Sequence, residues 1–479
     1  MKRSFACVLV FSFLFTPGLT QSSTPSDAKQ KAVASIDRQS AEMGELSDQI
    51  WAFAEIALRE TRSATLLADY AEAQGFAVER GVAEMPTAFV ASYGKGRPII
   101  GIMGEYDALP GISQKAQTSQ EALEKGAAGH GCGHNLFGPA SLAAAIAIKE
   151  LIAAGELEGT IRFYGTPAEE DIGGKVYMIR AGLFDDLDIA LAWHPGDEIT
   201  ADTEGSQAMV DFAVEFRGRT AHAAADPWNG RSALDGVELF THALNLMREH
   251  VRPTVRMHYV IADGGDVPNV VPDHAKVWCW VRDSEHTSVD ELVERARAAA
   301  QGAALATGTA STFNVQAGSY EMLVNLEGAK LIHENISWLG PIQFTEQEQD
   351  FAREIQRETG VEPEGLKADP EPLDLTRRAP EGGSTDVADV SWVVPTLHLT
   401  VTTAAYDAPW HAWPVVATGG MSIGHKGMIY AAKALAATMV DLYENPEQRA
   451  AITREFEEQT QGFKFKFYIP EGPPPVSTN

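Results

Sequence analysis

The chain has 479 residues, 44% of them apolar and 8% aromatic, and a formal charge of −28. That length exceeds what one hydrophobic core organises, so two domains are expected, and the ordinary apolar content excludes a disordered chain. The strong negative charge argues against nucleic acid or an anionic membrane as a partner.

Met1-Lys2-Arg3, an apolar run from Phe5 to Phe15 and a small-residue exit at Thr16-Pro17-Gly18 read as a signal peptide over residues 1–22. So short an apolar run cannot cross a bilayer as a helix, so the expectation is a leader and an exported protein, periplasmic or secreted. Without the leader, Cys132 and Cys279 are the only cysteines. Two cysteines in so long a chain make no disulfide framework, and Cys132 needs another explanation.

Amphipathic patterns predict helices over 36–60 and 63–74. Apolar runs at 88–93, 98–103, 160–164 and 188–193 predict strands, with helices over 138–154 and 173–181 between them. Buried strands alternating with helices indicate an α/β sheet covered by helices. From residue 207 the order becomes strand (209–216), helix (232–250), two strands (255–261 and 275–282), helix (289–306) and strand (313–319), the β-α-β-β-α-β order of a ferredoxin-like unit. The predicted fold class is therefore α/β, a helix-covered mixed-sheet catalytic domain in two parts, 28–205 and 323–448, with an inserted ferredoxin-like α+β domain at 206–322. The second part holds an acidic, proline-containing stretch over 347–383, a strand at 396–402 and a closing helix at 423–443. The tail, 449–479, is charged, ends in a run of prolines and is expected at the surface or disordered.

Ala127 to Asn135 places His130, Cys132 and His134 at alternate positions, separated by glycines. In extended backbone such residues project to one side, and glycine lets the main chain pass close to an ion, so Cys132 and His134 can ligate one borderline-soft divalent metal. The alternative is a glycine-rich turn with a buried thiol. Thr166-Pro167-Ala168-Glu169-Glu170-Asp171 follows a buried strand, where α/β sheets place their ligand sites, although a helix N-terminus also favours acids. One carboxylate there could complete a metal sphere while its neighbour, raised in pKa by like charge, takes protons. His194 ends another strand of the same predicted sheet, and His411 follows the last core strand by a short loop, so the donors suffice for two metals. Asp107, in Glu105-Tyr106-Asp107, could orient a ligand histidine or belong to a turn. His222, in Arg219-Thr220-Ala221-His222, is either a polar loop residue or part of a lid over substrate.

Taken together, five separated motifs resemble the zinc amidohydrolase and carboxypeptidase family that contains aminoacylases, hippurate hydrolase, auxin-conjugate hydrolases and p-aminobenzoyl-glutamate hydrolase. The resemblance runs from Asp107-Ala108-Leu109-Pro110 to Ser422-Ile423-Gly424-His425-Lys426-Gly427. It implies two divalent ions, zinc first and manganese or cobalt as alternatives, held by Cys132, His134, Glu170, His194 and His411, with His130 outside the set. It further implies that Glu169 is the general base. The insert is similar to a lid and dimerisation domain, which implies a homodimer or heteromer with His222 stabilising the oxyanion, often in the partner's site. Asn269 then looks like a contact to the substrate carboxylate, with Arg231 a further candidate. Asn135 stands where the family has aspartate, and His411-Ala412-Trp413 replaces its His-Ser-Pro, which leaves His425 as a rival to His411. These departures resemble the p-aminobenzoyl-glutamate hydrolase branch of the family. The expected reaction is hydrolysis of an amide joining an acyl or aroyl group to an amino acid. The alternatives are a dipeptidase, a general N-acyl-amino-acid deacylase and a metal-retaining subunit without activity, the last disfavoured by the intact Glu169.

Overall fold

A computed structural model of the protein describes residues 25–376, 379–380 and 382–475, so the predicted signal peptide lies outside the described residues. In chain order the strands are β1 (Ala77–Arg80), β2 (Phe89–Lys95), β3 (Ile99–Gly104), β4 (Gly159–Gly165), β5 (Ile189–Gly196), β6 (Thr200–Ala201), β7 (Ala208–Arg217), β8 (Arg256–Asp263), β9 (His274–Asp283), β10 (Ala310–Ser319) and β11 (Thr396–Thr402). The first sheet runs β1-β2-β4-β3-β5-β11-β6. Its centre is parallel, β4 with β3, β3 with β5 and β5 with β11, while β1, β2 and β6 join antiparallel. The near-continuous apolar runs of β3 and β5 follow from burial on both faces. Helices Asp27–Phe53, His134–Ala153 and Ser422–Glu444 pack on one another, and His134–Ala153 lies on β3, β4 and β5. That middle helix is long and apolar enough to cross a membrane, but its apolar residues fill the core of this domain.

The second sheet is antiparallel, ordered β10-β7-β9-β8, with helices Ala233–Met247 and His286–Thr307 packed on it. Alternate residues of β7 and β9, Val210, Phe212, Val214 and Phe216 with Ala275, Val277, Cys279 and Val281, form its core with the helices. Cys279 is thus a core thiol. The β-α-β-β-α-β order is the one read from the sequence, and the α/β layer resumes beyond the insert when β11 slots in beside β5.

Three segments differ from expectation. The first helix starts at Asp27, where Ser26 accepts the Lys29 amide, and stops at Phe53 because Ala54 turns left-handed at φ 43°. Within the acidic stretch, Glu346–Thr359 is helical, started by a reciprocal Thr345–Glu348 cap, with Ala352 and Ile355 buried. The tail packs against both domains. Helix Pro446–Gln459 buries Ile452, and the irregular run after it crosses between the two domains. There Tyr468 enters the core of the insert, Phe465 packs against both cores, and the Phe463 ring lies tilted against Trp392 with centroids 4.4 Å apart. The Tyr320 hydroxyl accepts the Lys466 amide at 2.8 Å, and Arg180 donates to the Gly472 carbonyl at 2.6 Å.

Candidate metal centre

The C-terminal ends of the parallel strands β3, β4, β5 and β11 lie along one edge of the sheet, and each is followed by a turn bearing polar residues. The glycine loop folds under this edge. Gly133 has φ 78°, and a Cβ there would lie 2.8 Å from Cβ of Pro195; a Cβ on Gly131 would lie 2.3 Å from Ile112. Only glycine allows both approaches. Cys132 Sγ thereby comes within 3.3 Å of His194 Nε2, while His194 Nδ1 donates to the Pro195 carbonyl at 2.7 Å. That bond leaves the Nε2 lone pair free for a ligand.

His134 opens the helix His134–Ala153. Its Nδ1 meets Asp107 Oδ1 at 2.8 Å, and Asp107 Oδ2 accepts the Glu170 amide at 2.9 Å, so one carboxylate orients two residues of the site. His411 holds a left-handed φ of 52° and donates its amide to the Gly131 carbonyl at 3.0 Å. This fastens the His411 loop to the glycine loop and brings His411 Nε2 to 3.5 Å from Glu170 Oε1. Three donor groups result, each with its atoms within 4.8 Å of one another: Cys132, His134 and His194; Cys132, Glu170 and His411; Glu105, His134 and Glu169. Cys132 belongs to the first two.

Behind them, Lys175 is fully buried and donates to Glu105 Oε1 and Asp386 Oδ1, both at 2.6 Å. Burial alone would raise the Glu105 pKa, but Lys175 and His134 outweigh it and keep the group ionised. Burial, then Glu105 and Glu170, pushes Glu169 well above the ordinary carboxylate range. Burial and Asp107 push Glu60 to about 8. Burial and the neighbouring His134 lower His194 to about 4, so it is neutral. Glu170 Oε1 is buried with no hydrogen-bond partner among the described residues, and His134 Nε2 faces Glu105 Oε2 at 3.0 Å without hydrogen-bond geometry. Unpaired buried acceptors beside a neutral imidazole and a thiol form a mixed N, S and O set that fits a divalent cation.

Cys132, Glu169, Glu170, His194 and His411 line a cleft of about 910 Å³ between the two domains, and Arg282 of β9 lines it from the insert. His134 and Asp107 sit buried beneath it. The insert's His222, Asn269 and Arg231 do not line this cleft. His222 Nδ1 accepts the Ala224 and Ala225 amides at 3.2 Å, the Ala223 amide donates to the Asn269 carbonyl, and Arg231 lines a second cavity within the insert. His425 pairs with Asp48 at 2.9 Å on the outside of the closing helix, away from the donors. His130 bonds the Ile50 carbonyl at 3.0 Å, and burial holds it near 4, so it is a neutral core residue. Asn135 also points into the core, donating to Ser47 Oγ and the Gly419 carbonyl.

Sequence reasoning missed Lys175, Asp386 and Arg282 as parts of the site. Arg282 is half-buried, donates to Ser384 Oγ at 3.1 Å and lies 5.2 Å from the Trp280 ring. Glu105 had a visible signal, since it stands two residues before Asp107 at a strand end.

Carboxylates, imidazoles and a thiol gathered at the strand ends of a helix-covered sheet, beneath a second α+β domain, define a two-domain metallohydrolase. Residues 205–307 match the peptidase dimerisation domain. The chain is 37% identical over 466 residues to a p-aminobenzoyl-glutamate hydrolase component of Escherichia coli (strain K12), covering 90% of this chain and 95% of that one. Over 461 residues it is 30% identical to the Xaa-Arg dipeptidase of Homo sapiens, covering 91% and 94% of the two chains. Among solved structures, a dinuclear metal-binding peptidase of the M20 family from Bacillus subtilis shares the fold at a TM-score of 0.57 and 16% identity, covering 85% of this chain and 99% of that one. The chain belongs to the M20 family of peptidases and amidohydrolases, and it is a hydrolase with the family's dimerisation domain inserted in its catalytic domain.

Proposed function

We propose that this protein hydrolyses the amide between an acyl or aroyl group and an amino acid, with p-aminobenzoyl-glutamate-like molecules as the substrate class. The observation that carries the reading is the pair of donor groups sharing Cys132, with the partly buried carboxyl of Glu169 beside them. Cys132, His134 and His194 would hold one ion, and Cys132, Glu170 and His411 a second, zinc being the best match to mixed thiolate, imidazole and carboxylate donors. Bound there, the ions supply positive charge that polarises the scissile carbonyl and makes a water molecule acidic. Glu169 takes the proton of the attacking water and delivers it to the leaving nitrogen. Asp107 fixes the ring of His134 and the amide of Glu170. Arg282, contributed to the cleft by the insert, offers a planar cation to the carboxylate of the amino-acid product half.

His222, Asn269 and Arg231 then serve the cleft of a second copy or partner in a homodimer or heteromer, a reading supported by their distance from the cleft of their own chain and by the dimerisation domain they belong to. The leader read at 1–22 supports export, to a periplasm or out of the cell.

The test is Glu169→Gln in metal-loaded protein, measured against p-aminobenzoyl-glutamate, N-acetyl amino acids and dipeptides. Wild-type metal content with turnover abolished is expected; lost metal or near-normal turnover defeats the assignment. Dipeptides ending in arginine belong in the panel, because Glu198, Asp202 and Glu371 also line the cleft and would suit a basic side chain.

A further inference from the structure

Ala168 stands between Pro167 and Glu169, fully buried, with φ at 61°. The left-handed region is disfavoured for a residue with a Cβ and no side-chain polar group to bond locally, and such outliers gather at functional sites. Something must hold it there. The Ala168 carbonyl accepts the amides of Gly173 at 3.1 Å and Gly174 at 3.3 Å, and its own amide donates to Glu60 Oε1 at 3.0 Å. Gly174 has no alternative, since a Cβ there would lie 2.0 Å from the Pro167 carbonyl.

Glu60 comes from a different part of the chain. It is the N-cap residue of the helix Thr61–Ala73, but its side chain makes no cap bond; that side chain turns away toward the end of β4, is fully buried, and leaves Oε2 without a hydrogen-bond partner among the described residues. Two buried carboxylates therefore hold alternate amides of one turn, Glu60 the amide of Ala168 and Asp107 the amide of Glu170, with Glu169 between them.

We infer that Glu60 is a positioning residue for the reaction: by accepting the Ala168 amide it keeps this turn left-handed and so aims Glu169 into the cleft. The inference rests on the proposed role of Glu169. If the bond were lost, Ala168 would relax toward negative φ and swing the following side chain away. The neutral amide of glutamine keeps an Oε1 acceptor, so the requirement is for the acceptor and not for a charge.

Three variants test this, with kcat, KM, metal content and hydrogen exchange of residues 165–172 as readouts. Glu60→Gln is expected within about threefold of wild-type kcat. Glu60→Leu, with no acceptor, is expected to lose about 10–100-fold in kcat with little change in KM, and to exchange faster across 165–172. Ala168→Gly removes the strain, so in the Glu60→Leu background it should restore most of the kcat. A Glu60→Leu chain that fails to fold alone but folds and turns over with Ala168→Gly supports the inference; failure in both backgrounds overturns it. Unchanged exchange across 165–172 in Glu60→Leu overturns it whatever Glu169 does. Faster exchange with unchanged kcat also overturns it, whereas turnover surviving in Glu169→Gln defeats the reading of the base itself.

Discussion

Replacing Lys175 by methionine isolates the energetics beneath the metal site. Methionine keeps the length and apolar stem of the side chain but removes the cation between Glu105 and Asp386, each 2.6 Å from the ammonium and no more than 2% exposed. With the cation gone Asp386 loses its charged partner and Glu105 keeps only His134, so the two cannot both remain ionised out of water and one must take a proton. Holding a carboxyl of ordinary pKa near 4 protonated at pH 7 spans about three units, or about 4 kcal/mol. Breaking a buried ion pair independently suggests about 3–5 kcal/mol, a large part of a total stability of about 5–15 kcal/mol. The two routes agree in size, and the first adds a sign: the cost should grow by about 1.4 kcal/mol per pH unit while the proton is retained. Urea unfolding of chelator-treated protein at pH 6, 7 and 8 measures this without interference from bound metal. Adding Asp386→Asn should recover part of the loss, because one carboxylate charge is then gone. A destabilisation below about 1 kcal/mol, or one flat across pH, would refute the reasoning.

Cys132→Ser removes the atom common to two donor groups, so zinc retained after dialysis should fall below two ions per chain by elemental analysis; two retained ions would refute the sharing. Deleting residues 460–479 strips Tyr468, Phe463 and Phe465 from the junction between the domains and should cost about 3–6 kcal/mol. A lower melting temperature and a red shift in tryptophan emission as Trp392 meets water are the measures, and an unchanged melting temperature would count against the packing role. At Glu348, burial would raise the pKa, but Lys426, Ser422 and Thr345 hydrogen-bond the carboxylate and hold it near 2. Its stabilising effect is therefore present above the ordinary value near 4.5 and lost as pH falls through 2. Glu348→Gln should be less stable by about 2 kcal/mol at pH 6 and match wild type near pH 2, as followed by circular dichroism.

What the sequence revealed depended on how local each cause was. The central strands announce themselves because burial on both faces demands a run of apolar residues, and the insert because each strand alternates with period two. The two-residue β6 carries no such pattern. The donors were visible because each sits at the end of a predicted strand in a short motif of its own. Lys175 was not, since its meaning lies in Asp386, 211 residues away, and Arg282 depends on Ser384, 102 residues away. His130 and His134 look equivalent by spacing; they differ because His134 begins a helix facing Asp107 while His130 points back to the Ile50 carbonyl. The tail misled for a related reason. A charged run that ends in prolines reads as surface until Tyr320 and Trp392 give its aromatic residues a partner.

The place of β11 in the sheet also governs how the protein can be made. On a ribosome the strand β5 is complete some two hundred residues before its neighbour, with the whole insert translated in between. Until then one edge of β5 stands open, apolar and ready to pair with any strand that reaches it. The insert has a core of its own and can settle early, while the older half of the catalytic domain waits. His411 arrives only just behind β11, so the second donor group around Cys132 is assembled at about the moment the edge is closed. A nascent or prematurely terminated chain is thus both sticky and unable to complete its metal site, and only the finished one escapes both conditions together.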